Sequence, residues 1–125
     1  MIDVNDLIGV PFVEFGRSVE YGLDCYGLCI EVEKRLGKKL TDVVLEKFDK
    51  NKVQKTIPKL NVRKTKEIKE GVILEFYGAV DNRLHVAVAL DGKTFIHATE
   101  NQGVRISSLD CCKSYLKLAN CYEVM

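Results

Sequence analysis

The chain has 125 residues, 46% hydrophobic and 30% charged, with a formal net charge of +1. That length suits one domain, residues 1–125, with one sizeable core, and the composition is ordinary for a soluble globular protein. No apolar run approaches the roughly 20 residues that a membrane-spanning helix requires.

The N-terminus, Met1-Ile2-Asp3-Val4-Asn5-Asp6, has no basic stretch ahead of an apolar core. No secretory signal is therefore expected, and the product is expected to be made in the cytoplasm. Residues 8–16 read as a loop leading into a short extended piece. Residues 24–36 read as a helix, capped by Asp24 and closed by Gly37. Cys25, Leu28, Cys29 and Val32 lie on one stripe at helical spacing, so Cys25 heads the face that packs inward. Thr41–Phe48 reads as a second, shorter helix, and 49–70 as a long surface connection with room for an irregular helical piece.

Positions 47–69 hold nine Lys or Arg against two acids, a local charge of +7 in a chain of +1. Such a run is usually a solvated face, and the functional alternative is an acidic partner. Its one aromatic, Phe48, offers no stacking platform, which argues against nucleic acid.

Strand patterns follow at Val72–Tyr77, Leu84–Leu90, Lys93–Ala98 and Gly103–Ile106. A turn or short helix is expected in 107–118, and a final strand in Cys121–Met125. The sum is an α+β fold, one helix on an antiparallel sheet of about five strands.

The five cysteines include the adjacent pair Cys111 and Cys112, a poor start for a disulfide framework, so reduced thiols are expected. The chain has two histidines, His85 and His97, both in adjacent strand patterns. Asp91-Gly92 between them signals a hairpin. A two-residue loop pairing Leu90 with Lys93 would put the histidines on opposite faces. A three-residue loop, Leu90-Asp91-Gly92, would pair Ala89 with Lys93 and set His85 directly opposite His97, with Gly92 in the left-handed conformation. The second register is expected. His85, Ala87 and Ala89 would then share one face, its alanines leaving room for a helix, while Leu84, Val86, Val88 and Leu90 line the other.

A thiol at a helix start beside a strand imidazole suits attack on a carbonyl. Cys25 would be the nucleophile, His85 the proton acceptor, His97 its orienting group, and the Cys25 N–H an oxyanion donor. The plainer reading is a buried core cysteine and structural histidines. A metal site formed by Cys25, Cys29, His85 and His97 is a rival use, but no C-x-x-C knuckle supports it.

These residues also carry a resemblance. Pro11-Phe12-Val13-Glu14-Phe15-Gly16 resembles the P-Y-x-W-G-G opening of the NlpC family of cell-wall cysteine peptidases, relatives of the papain fold. Asp24-Cys25-Tyr26-Gly27-Leu28 resembles its D-C-S-G-[FL] nucleophile motif. Residues 68–76 resemble L-x-P-G-D-L-V-F-F, and His85–Leu90 resembles H-V-G-I-Y-L. Phe95-Ile96-His97-Ala98 and Gly103-Val104-Arg105-Ile106-Ser107 resemble F-I-H-A and G-V-R-I-S. The resemblance implies a papain-like core, a Cys25-His85-His97 triad and no metal or organic cofactor. It implies hydrolysis of peptidoglycan stem-peptide amides, typically next to D-glutamate and diaminopimelate or lysine. Phe12, Asp24 and Tyr26 are the expected substrate-side residues. Tyr26 stands where serine is usual, Phe12 where tyrosine often lines the substrate site, and Val72 where aspartate starts the strand. The D-C-Y-G-L form and short chain resemble versions encoded by tailed phages, which implies tail proteins as partners and a virion tail location. The alternative is a catalytically idle docking module on the same fold.

Overall fold

The structure, a computed structural model, describes residues 2–125. A short hairpin of β1 (Arg17–Ser18) and β2 (Gly22–Leu23) precedes helix α1 (Cys25–Arg35). Helix α2 (Lys50–Thr56) follows, then β3 (Val62–Thr65), β4 (Ile73–Gly78), β5 (Leu84–Ala89), β6 (Thr94–Thr99) and β7 (Gly103–Ser108). The short helix α3 (Leu109–Cys112) leads into β8 (Leu116–Val124). Strands β3 to β8 form one antiparallel sheet in the order β3-β8-β4-β5-β6-β7. The sheet has six strands rather than about five. The missed strand is β3, an edge carrying exposed Arg63 and Lys64, whose charge discourages pairing with another chain and hides the strand pattern.

Helix α1 ends as expected. The Asp24 side chain accepts from Gly27 N, Gly37 takes φ +81°, and Lys38 N and Gly37 N donate to Glu33 O and Lys34 O. That is a Schellman closure. The helix packs through Cys25, Leu28, Cys29 and Val32 on Val86, Val88, Ile96 and Ala98.

The expected arrangement of the β5 faces is therefore reversed. The Leu84/Val86/Val88/Leu90 face receives the helix. The Ala87/Ala89 face instead makes room for Phe76 and Phe95, whose rings sit 5.1 Å apart, and is closed by Ile68, Leu109 and Leu116. Small residues beside two large rings fill the space at native density.

Residues 41–46 carry no regular secondary structure and 47–48 form a turn closed by Asp49 N donating to Glu46 O, so no helix forms here. Val43 and Leu45 turn inward while Val44 and Phe48 are exposed, a period of two rather than 3.6. The backbone bonds that a helix would make internally go elsewhere. Arg17 Nη2 donates to Val43 O, the Tyr26 hydroxyl to Thr41 O, and Leu84 N to Lys47 O. This strap crosses the molecule beside the N-terminus of α1.

Gly27 fixes that terminus against the hairpin. A β-carbon there would lie 2.1 Å from Gly16 O, a backbone atom that cannot move aside alone. Gly27→Ala is expected to destabilise the fold by about 2–4 kcal/mol, read as a lowered denaturation midpoint.

Glu33 on α1 is wholly buried, and neither carboxylate oxygen has a hydrogen-bond partner. Burial pushes its pKa up to about 7, against a smaller opposing pull from Lys38. A carboxyl raised on folding binds more protons folded than unfolded between about pH 4.5 and 7, so its contribution to stability falls as pH rises through that window. Glu33→Gln is expected to gain about 3 kcal/mol relative to wild type between pH 4 and pH 8, measured by denaturant unfolding of both proteins. A constant difference across that range would show that Glu33 ionises in the folded protein as it does in the unfolded chain.

Candidate active site

Strand β6 pairs with β7 over six residue pairs, but the β5–β6 ladder comprises Val88 with Ile96 and Ala89 with Phe95. Past Val88 the two strands stop pairing. A cleft of about 420 Å³ opens at those unpaired ends, lined by Leu84 and His85 from β5 and His97, Ala98 and Thr99 from β6. Cys25, at the first position of α1, lines the same cleft. The loss of pairing lets a residue from the helix side line one cleft with histidines from the other face.

The histidines share a face, as expected, but the register differs by two. The loop residues are Asp91-Gly92-Lys93, closed by Leu90 N donating to Thr94 O. Gly92 is not left-handed. The Asp91 carboxylate holds the turn instead, accepting from Lys93 N, Thr94 N and Thr94 Oγ1, which removes the need for a glycine conformation. Extended, this register sets His97 opposite Ala87, diagonal to His85.

His85 Nε2 and His97 Nδ1 are 2.8 Å apart, and His97 Nε2 lies 2.8 Å from Ser107 Oγ. Two opposite runs of donation satisfy both contacts, and the one suited to proton uptake at the cleft goes from His85 Nε2–H to His97 Nδ1, then from His97 Nε2–H to Ser107. It leaves the lone pair of His85 on Nδ1. His97 is buried and edge-on to the Phe95 ring at 4.8 Å, while His85 is half-buried. Ser107 is the polar partner that sequence reasoning left without a role. The signal was available: on β7, Ser107 pairs with Phe95 and Arg105 with His97, so both share the histidine face.

The Cys25 thiol is buried, which pushes its pKa up. The Lys47 charge and the N–H groups of Val86 and Tyr26 act the other way. Burial first, then the charges of His97, Lys47 and Arg83, push His85 down to about 3. Burial and Arg105 push His97 down to about 4. At neutral pH the pair at rest is a thiol and a neutral imidazole.

Of the residues expected to face substrate, Phe12 lines the cleft. Asp24 and Tyr26 do not. Asp24 is buried, and its oxygens are taken by Gly27 N, Phe15 N and Arg17 Nη1. It holds the helix start against the hairpin. Tyr26 is buried, its hydroxyl bound to the strap at Thr41 and its ring under Arg17. A large side chain replaces serine here because it anchors the strap. All five cysteines are free. Among the described residues, no group of three or more His, Cys, Asp or Glu is placed to hold a metal ion.

A helix headed by a buried thiol, packed on an antiparallel sheet that presents two coupled histidines, defines an α+β domain of papain-like architecture. The chain belongs to the NlpC/P60 family, whose model matches residues 9–119, and members of that family are cysteine peptidases or amidases of peptidoglycan. Two solved structures share the fold. One is an NLP/P60 family protein similar to lipoprotein from Staphylococcus aureus subsp. aureus Mu50, with a TM-score of 0.63 and 22% identity, covering 95% of this chain and 38% of that one. The other is the NlpC/p60 domain of the peptidoglycan hydrolase SagA, with a TM-score of 0.60 and 23% identity, covering 95% and 90%. This chain thus spans well under half of the staphylococcal protein. No curated protein matches it.

Proposed function

We propose that this protein is a thiol hydrolase that cleaves amide bonds in peptidoglycan stem peptides. The observation that carries the reading is the His85–His97–Ser107 hydrogen-bonded run opening onto the cleft that Cys25 also lines. His85 Nδ1 takes the thiol proton as sulfur attacks the amide carbon, and the carbonyl electron pair moves to oxygen. The Cys25 N–H, in the first turn where helix amides lack an internal acceptor, is offered to that oxyanion. Collapse breaks the C–N bond, and the amine leaves with the proton from His85. Water, deprotonated by the same imidazole, then releases the acyl group as an acid. Phe12 forms one wall of the substrate cleft.

Bonds next to D-glutamate and diaminopimelate or lysine are proposed on the family likeness. A phage-tail setting is proposed on the D-C-Y-G-L likeness alone, with local wall opening as the task. Mass spectrometry of peptidoglycan fragments after incubation with wild type and with Cys25→Ala tests the reading. New stem-peptide termini made only by the wild type are expected. Intact stems across several wall types, with the protein folded, would overturn it in favour of a docking module.

A further inference from the structure

Two cations line the cleft and take no part in the steps above, Lys47 and Arg83. Lys47 rides on the strap, and its backbone is fixed by Leu84 N donating to its carbonyl. Its side chain is half-buried and lines the cleft with Cys25 and His85, and its ammonium lies 4.9 Å over the Phe12 ring. Among the described residues, no carboxylate lies within ion-pair distance of it, whereas Arg83 on the same cleft is paired with Glu100.

An unpaired ammonium held part-way out of water keeps more of its field than a free surface lysine does. Its position over Phe12 costs little, because a ring face attracts a cation. The other charges near Cys25 offer no equivalent. Asp24 beside it is negative and is paired with Arg17. Cys29, one turn below, is buried with its pKa raised well above the ordinary value. His85 and His97 are held neutral. Asp81 and Glu100 on the rim bring negative charge, with Arg83 between them. Lys47 is then the positive charge available where negative charge forms.

We propose that Lys47 stabilises the Cys25 thiolate and the oxyanion formed on attack, doing for the charge what the histidine run does for the proton. As the thiol proton passes to His85 Nδ1 and the S–C bond forms, negative charge moves from sulfur to the former carbonyl oxygen. Lys47 keeps its proton throughout and lowers the energy of both charged states. The role deepens the thiol-hydrolase reading and rests on it only in requiring Cys25 to react as a thiolate.

Alkylation tests this without any wall substrate, so a wrong substrate assignment leaves the result intact. Modification of the Cys25 peptide by neutral iodoacetamide and by anionic iodoacetate is followed by mass spectrometry against pH. In wild type, iodoacetate is expected to be favoured over its preference for an exposed thiol such as Cys111, and added salt should erase that bias. Lys47→Met keeps the stem over Phe12 and removes the charge. It is expected to raise the alkylation midpoint by about 0.5 pH unit or more and to cut the iodoacetate preference about threefold or more. Lys47→Arg should restore both. An unchanged midpoint and preference in a folded Lys47→Met protein would overturn the proposal. If Lys47→Met does not fold, Lys47→Gln and the salt dependence of wild type decide by the same criteria, and a salt-independent preference counts against it.

Discussion

Cys25→Ala is expected to remove amide hydrolysis, to at least about 10⁴-fold below wild type, while changing the unfolding free energy by about 1 kcal/mol. The activity loss follows from chemistry. The thiol is the nucleophile proposed in the cleft, and an alanine methyl cannot form the acyl intermediate. The stability change is small because the buried thiol is a single sulfur atom at the end of the apolar stripe, lining a cleft at the first position of α1. Asp24, Gly27 and the Arg17 pair, which hold the helix start, are untouched by the change. Activity is read from released stem-peptide amines, and stability from denaturant unfolding. A loss of several kcal/mol with no hydrolysis in wild type would identify Cys25 as an ordinary core residue.

His85→Ala is expected to lower turnover about 10³–10⁴-fold, and His97→Ala about 10–100-fold, because in the proposed mechanism His85 moves the proton and His97 only holds its ring. The pH profile separates the roles. Burial and neighbouring charge keep His85 neutral down to about 3, so the acid limb of kcat/KM should fall well below the ordinary histidine value of about 6.5. Removing His97 removes one cause of that depression, so in His97→Ala the acid limb should move up in pH. A change confined to packing would lower the rate without moving the limb. Equal and complete losses from both variants would show that the roles are not divided in this way.

Much of this was legible in local sequence. The D-C start, the apolar stripe of α1 and Gly37 needed only capping and period. The strand patterns needed only alternation, and the even spacing of His85 and His97 put them on one face in any odd-loop hairpin. The loop residues were not legible, because Asp91 can close a turn with its carboxylate as readily as Gly92 can with a positive φ. The 41–48 strap was missed because Val43, Val44, Leu45 and Phe48 fit a helical spacing until the bonds from Arg17, Tyr26 and Leu84 are seen. Those partners lie from 15 to 37 positions away along the chain.

By itself, the sequence determined which residues are candidates for the chemistry, since a thiol at a helix start and imidazoles at matching strand parity are local properties. The tertiary structure decided how they meet. It stopped the β5–β6 pairing short, so the cleft opens between the strands. It turned Asp24 and Tyr26 inward, added Ser107 behind His97 and brought Lys47 to the cleft that Cys25 lines. Each of these depends on contacts between segments distant in sequence, where burial and hydrogen-bond satisfaction outweigh local preference.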